Sequence, residues 1–81
     1  MPLYQVLFYD GGQILPCYQL IDYIEGESPA SAFKANLDKI TEKTRRNLQL
    51  GGDFPDYKIH ESLCILDPET LFDPKRHRIM A

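Results

Sequence analysis

The chain has 81 residues, of which 43% are hydrophobic and 26% are charged, a balance typical of one globular domain and not of a disordered segment. Its net charge of −3 at pH 7, with every basic residue at or after Lys34, argues against a domain with a basic, nucleic-acid-binding surface. A core this small leaves a narrow margin of stability, so we expect oligomerisation to be a useful source of extra stabilisation.

The cysteine content and the N-terminal segment indicate the cellular setting. Two cysteines, Cys17 and Cys64, are too few for a disulfide framework in a domain of this size. The segment "MPLYQVLFYD" lacks the basic and apolar regions of a signal peptide, and no apolar run approaches the ~20 residues needed to span a bilayer. We therefore expect a cytoplasmic protein that does not associate with membranes.

Two strands joined by a tight turn are predicted at the N-terminal end. Residues 3–9 ("LYQVLFY") and 14–25 ("ILPCYQLIDYIE") contain the aromatic and β-branched side chains that favour strands. Pro16 cannot donate to a ladder, so the start of the second strand should lie at a sheet edge or a bulge. Asp10-Gly11-Gly12 predicts a hairpin turn, and because a strand follows the glycines, a phosphate-binding loop is not expected.

A long amphipathic helix is predicted over residues 29–48. Ser28 suits the N-cap because its hydroxyl can accept a hydrogen bond from an unpaired backbone N–H, and Pro29 suits the first helical position. Gly51 or Gly52 could supply a left-handed residue after the helix. At 100° per residue, the side chains that share one narrow stripe are Ala30, Phe33, Leu37, Ile40, Thr44 and Leu48.

Residues 57–66 alternate between apolar and more polar side chains and predict a third strand. Residues 67–81 contain two Asp-Pro breaks and a basic cluster, which is typical of an irregular tail. The expected organisation is therefore a single α+β domain over residues 1–66 and a C-terminal tail over 67–81.

The order of elements, β-β-α-β, predicts the topology of this α+β fold. Strands 1 and 2 should form an antiparallel hairpin. A right-handed crossover through the helix should then place strand 3 parallel to strand 2 and beside strand 1. The prediction is a three-stranded sheet of order 2-1-3 with one amphipathic helix packed on one face.

Both faces of this sheet are predicted to be largely apolar, although only one helix is available to cover them. One face of strand 2 would carry Tyr18, Leu20 and Ile24, and the other would carry Ile21 and Tyr23. Because large exposed apolar patches mark interaction surfaces, we expect a second copy of the chain, another protein or the tail to cover the second face. The predicted partner-binding residues are Tyr4, Tyr18, Leu20, Tyr23 and Ile24.

These observations favour a small, non-enzymatic protein-binding module that self-associates through its sheet, with a dimer favoured. It could act as a regulator, an inhibitor or a subunit of a complex. The alternative is a ligand- or nucleic-acid-binding protein that uses a cleft between two copies and the basic C-terminal cluster. The anion-binding residues would then be Arg45, Arg46, Lys75, Arg76 and Arg78.

Metal and catalytic chemistry finds little support in the residue spacing. Cys17, Cys64, His60 and His77 include neither a C-x2–4-C pair nor an H-x3–5-H pair, so no zinc site is expected. A nucleophile pair of Cys17 and His60 would need a group to orient the histidine and an oxyanion hole, and the sequence indicates neither. We expect no cofactor, no metal ion and no enzymatic activity.

The segments "LPC" (Leu15 to Cys17) and "EGESPASAF" resemble part of the small β-β-α-β domains of HicB-type antitoxins. In that family a strand carrying Leu-Pro-Gly-Cys leads through Gly and Ser/Thr into an amphipathic helix. The glycine that follows the proline in the family is missing after Pro16 here. The resemblance implies a β-β-α-β architecture and no function, because one architecture serves many functions.

Overall fold

The structure, a computed structural model, describes residues 2–12 and 17–71. Its fold is α+β, as predicted. The elements in chain order are β1 (Leu3–Phe8), β2 (Gln19–Glu25), α1 (Pro29–Ala35), α2 (Leu37–Asn47), α3 (Asp56–Glu61) and β3 (Leu63–Leu66).

The three strands form one sheet in the order β2-β1-β3. β1 pairs antiparallel with both of its neighbours, so β2 and β3 run in the same direction on either side of it. The predicted strand order and strand directions are confirmed.

A β-bulge interrupts the pairing of β1 with β2. Val6 pairs with Asp22, but the next residue, Leu7, pairs with Leu20, so Ile21 is an extra residue in β2. A bulge changes which side chains share a face of the sheet. Strict alternation predicted different faces for Leu20 and Tyr23, and the bulge places both on one face.

The turn after β1 confirms the reading of the two glycines as structural. Gly11 and Gly12 have φ angles of 78° and 86°, which glycine adopts without steric cost. The N–H of Gly12 donates to Asp10 Oδ1 at 3.2 Å. Of the predicted strand over residues 14–25, the structure shows Gln19–Glu25 as a strand, and Pro16 lies outside the described residues.

The predicted helix start is confirmed, but the helix is not continuous. Ser28 Oγ accepts from the Ser31 N–H, and Ser31 Oγ accepts from the Ser28 N–H, each at 3.1 Å. Asn36 then separates α1 from α2, with φ −117° and ψ 19°. Its side-chain Nδ2 donates to Ala32 O at 2.8 Å, beside the Asn36 backbone N–H, which donates to the same oxygen at 3.2 Å. Such local side-chain bonds to the backbone make asparagine unfavourable inside helices.

The residue of positive φ after α2 is Gln49, with φ 55°, rather than one of the glycines predicted for that role. α2 ends at Asn47, and the Leu48 N–H donates to Thr44 O. The chain is therefore already turning before it reaches Gly51.

Much of the predicted third strand is a helix. Residues 56–61 form α3, and only Leu63–Leu66 form a strand. Pro55 and Asp56 favour a helix start, since proline lacks an N–H and aspartate suits the positive end of the helix dipole. Ile59 and Leu63 are four residues apart and both buried, a spacing that fits either a strand or a helix, so alternation alone gave the wrong element.

All three helices pack on one face of the sheet. Ala32, Ile40 and Ile59, from α1, α2 and α3 in turn, are each 0% exposed and belong to one core with side chains of the sheet. The strand residues of that core are Tyr4, Val6, Phe8, Ile21, Ile24, Leu63 and Ile65. The other face of the sheet receives none of these helices.

Candidate interaction surface

The face of the sheet opposite the helices is called here the open face. Directly paired residues of neighbouring strands share a face, so the pairings of β1 identify its members. They are Leu3, Gln5, Leu7, Leu20, Tyr23, Glu25, Cys64 and Leu66.

The open face is apolar and partly accessible. Leu3, Leu20 and Tyr23 are 44%, 42% and 45% exposed, although each is a large hydrophobic side chain. Leu7 and Cys64, which pair with each other, are almost fully buried, and burial raises the pKa of the Cys64 thiol. The open face thus has a buried centre, formed by Leu7 and Cys64, with accessible apolar side chains around it.

The first residues of the predicted tail are attached to the open face. Gln5 Nε2 donates to Asp67 O and to Thr70 O, each at 2.7 Å, and the Thr70 N–H donates to Asp67 O at 3.1 Å. Residues 67–70 therefore form a turn held by the sheet. The rest of the tail, including Phe72 and Ile79, lies outside the described residues apart from Leu71, which is 85% exposed.

The structure separates the five predicted partner-binding residues into two groups. Leu20 and Tyr23 lie on the open face, and Tyr18, directly before β2, is 42% exposed. Tyr4 and Ile24 pair with each other on the helix side, where they are 8% and 2% exposed and belong to the core. Their prediction as surface residues is corrected, because the helices cover their face.

Asp22 forms a polar cluster with α2. Its Oδ1 lies 3.3 Å from Lys43 Nζ and accepts the Tyr23 N–H at 2.7 Å, and its Oδ2 lies 3.7 Å from Lys39 Nζ. Burial by itself raises the pKa of this carboxyl. The hydrogen bond from Tyr23 and the two lysines outweigh burial and hold the pKa below its ordinary value. The prediction missed this cluster, for which the signal was one aspartate within an apolar strand.

Of the residues predicted to bind anions, the structure describes Arg45 and Arg46, and each contacts other groups of the chain. Arg45 Nη1 donates to Gly51 O at 2.7 Å and to Phe54 O at 2.8 Å, and its Nη2 forms an ion pair with Asp56. Arg45 thus holds the loop between α2 and α3. Arg46 Nη2 lies 3.3 Å from Glu42 Oε1 in an exposed pair, and Lys75, Arg76 and Arg78 lie outside the described residues.

The two cysteines and His60 have different surroundings. Cys17 is exposed and Cys64 is buried in β3, whereas His60 lies on α3 with its Nε2 2.8 Å from Thr41 Oγ1 and its ring edge-on to Phe33. Within residues 2–12 and 17–71, no group of three or more His, Cys, Asp or Glu side chains could hold a metal ion.

The helices of the described segments include none with the length and apolar character needed to cross a membrane. Comparisons of the chain with known protein families, with curated proteins and with solved structures find no match.

Proposed function

We propose that this chain is a small protein-binding module that associates with a second copy of itself through the open face. The observation that carries the proposal is the exposure of Leu3, Leu20 and Tyr23 on one face of the sheet while the helices cover the other. Burying such side chains contributes about 25 cal/mol for each Å² removed from water.

A second copy is the partner that the chemistry of the face favours. The eight strand residues that define the open face include one carboxylate, Glu25, and no lysine or arginine, so this described part of the surface offers little charge pattern with which to select a different protein. An apolar surface can pack against a second copy of itself without complementary charges. In a dimer with two-fold symmetry, the same residues of both copies form the interface. Tyr23 suits an interface because its ring buries area while its hydroxyl can find a partner.

The alternative of a ligand- or nucleic-acid-binding cleft has weaker support. Arg45 already donates to two carbonyl oxygens and pairs with Asp56, so anion binding would compete with its contacts within the chain. Binding rather than catalysis remains the proposal, and it agrees with the placement of His60 and the buried Cys64, among the described residues, on opposite sides of the sheet.

The test is the mass of the purified chain in solution, measured by light scattering across a range of concentrations. We expect twice the single-chain mass of 9.4 kDa for the native sequence and the single-chain mass for Tyr23→Lys and Leu20→Lys. Tyr57→Lys is the matched control, because Tyr57 is 59% exposed but lies on α3, away from the open face.

A native chain that keeps the single-chain mass at every concentration contradicts self-association. A native dimer that survives Tyr23→Lys and Leu20→Lys places the interface elsewhere. Circular dichroism of each variant checks that the fold is retained.

A further inference from the structure

The backbone of β2 shows which of its polar groups face away from β1. The Gly26 N–H donates to Pro2 O at 3.1 Å, and hydrogen-bonded and non-hydrogen-bonded pairs alternate along an antiparallel ladder. The Tyr4–Ile24 pair is therefore hydrogen-bonded, and the Gln5–Tyr23 pair is not. The N–H and C=O of Tyr23 consequently point to the outer edge of the sheet.

The outward N–H of Tyr23 already donates a hydrogen bond to the side chain of Asp22. Asp22 Oδ1 accepts this N–H at 2.7 Å and lies 3.3 Å from Lys43 Nζ of α2. Its Oδ2 is buried, makes no hydrogen bond within the described residues, and lies 3.7 Å from Lys39 Nζ as an ion pair. The Asp22 side chain is only 17% exposed, so the carboxylate is held among its partners rather than extended into water. The bulge at Ile21 lies directly beside it and increases the local twist of the strand.

We propose that Asp22, held by Lys39 and Lys43, closes the β2 edge to the addition of another strand. An incoming strand needs the Tyr23 N–H, and it would have to displace a charged acceptor that two lysines hold in place. Charged side chains and bulges at an edge strand oppose edge-to-edge pairing in this way.

Edge closure determines how the chain associates, and this part of the inference rests on the proposed function. With the β2 edge closed, copies meet through the open face and form a closed pair. With the edge open, each pair could add strands at β2 and grow into larger assemblies.

The first test is amide hydrogen exchange, measured by NMR in the Leu20→Lys background to remove association through the open face. Tyr23 and Glu25 both direct their N–H groups outward, so Glu25 is an internal comparison. We expect the Tyr23 amide to exchange at least about tenfold more slowly than the Glu25 amide, the effect of one hydrogen bond to a charged acceptor. Asp22→Ala should abolish that difference, and Asp22→Asn, which keeps an acceptor oxygen, should preserve part of it.

The second test is the mass distribution of Asp22→Ala with the native residue at position 20. We expect species larger than those of the native chain, with an infrared signal of intermolecular β-sheet. Asp38→Ala removes an exposed carboxylate from α2 and should leave the native distribution unchanged.

Two results would overturn the inference. One is Tyr23 exchange as fast as that of Glu25, and the other is a native mass distribution for Asp22→Ala. A native chain of single-chain mass would instead contradict the proposed function, while slow Tyr23 exchange and larger species for Asp22→Ala would still support edge closure.

Discussion

Gly26 lies so close to Ala32 that a β-carbon at position 26 would stand 2.5 Å from the Ala32 β-carbon. The backbone of Ala32 is equally near, with its Cα at 2.6 Å and its N at 2.8 Å from that point. The chain leaves β2 at Gly26 and enters α1 three residues later. This contact therefore sets how closely the first helix approaches the sheet.

Gly26→Ala should destabilise the fold, because backbone atoms of α1 cannot move aside as a flexible side chain could. We expect a loss of roughly 1–3 kcal/mol in the free energy of unfolding, the usual effect of overpacking, measured by urea denaturation. Gly52→Ala is the matched control, since a β-carbon there meets no atom within 4 Å. Equal stability of the two variants would contradict this account of the contact.

Arg45→Lys should destabilise the chain although it preserves the charge. The planar guanidinium reaches Gly51 O, Phe54 O and Asp56 at once, and an ammonium group cannot reproduce that fork. We expect a loss of about 1–3 kcal/mol in unfolding free energy for the lost charge-assisted bonds. Arg46→Lys, on an exposed pair with Glu42, should change stability by less than about 0.5 kcal/mol. Similar losses for both variants would show that Arg45 does not hold the loop.

Thr41→Val should cost more stability than the same change at Thr44. The Thr41 hydroxyl donates to Leu37 O at 2.8 Å, so its oxygen accepts from His60 Nε2–H, whereas the Thr44 hydroxyl donates to Ile40 O. Valine at position 41 leaves the histidine N–H without this partner, at a cost of roughly 1–2 kcal/mol. Urea denaturation gives the difference, and ¹⁵N NMR of His60 should show a proton on Nε2. A proton on Nδ1 alone would disprove the assigned hydrogen bond.

The stabilising contribution of Asp22 should be lost in acid. Its pKa in the folded state lies below the ordinary value of 3.8, because the Tyr23 N–H and the two lysines outweigh the effect of burial. Its contribution is fully present above pH 3.8 and is lost as pH falls through the lowered pKa, since the unfolded chain binds the proton first.

We therefore expect the unfolding free energy of the native chain to fall more steeply below pH 3.8 than that of Asp22→Asn. Urea denaturation at several pH values measures both slopes. Asp38→Asn should keep the native slope because Asp38 lies in the exposed first turn of α2. The same slope for the native chain and Asp22→Asn would mean that the ion pairs contribute nothing to folding.

The sequence correctly predicted the features that depend only on residues adjacent in the chain. Gly11 and Gly12 adopt positive φ in the turn after β1, and Ser28 caps α1, because each depends on the backbone freedom or hydrogen bonding of a few adjacent positions. The strand order also followed from the order of elements, since short connections leave few arrangements.

The errors arose where a spacing of buried residues fits more than one element. The four-residue spacing of Ile59 and Leu63 fits a helix and a strand alike, and the prediction gave too little weight to Pro55 and Asp56 as a helix start. The break at Asn36, where the side chain adds a second hydrogen bond to the Ala32 carbonyl, leaves no mark in the apolar spacing of the helix.

The sequence by itself determined a small α+β domain with a hairpin, a capped helix and more apolar strand residues than one layer of helices can cover. Only the tertiary structure decided which of those residues remain accessible. The bulge at Ile21 placed Leu20 and Tyr23 on the open face, while the helices buried Tyr4 and Ile24. Which face a strand residue occupies depends on pairing across the sheet, and one extra residue in one strand reverses it for every position beyond.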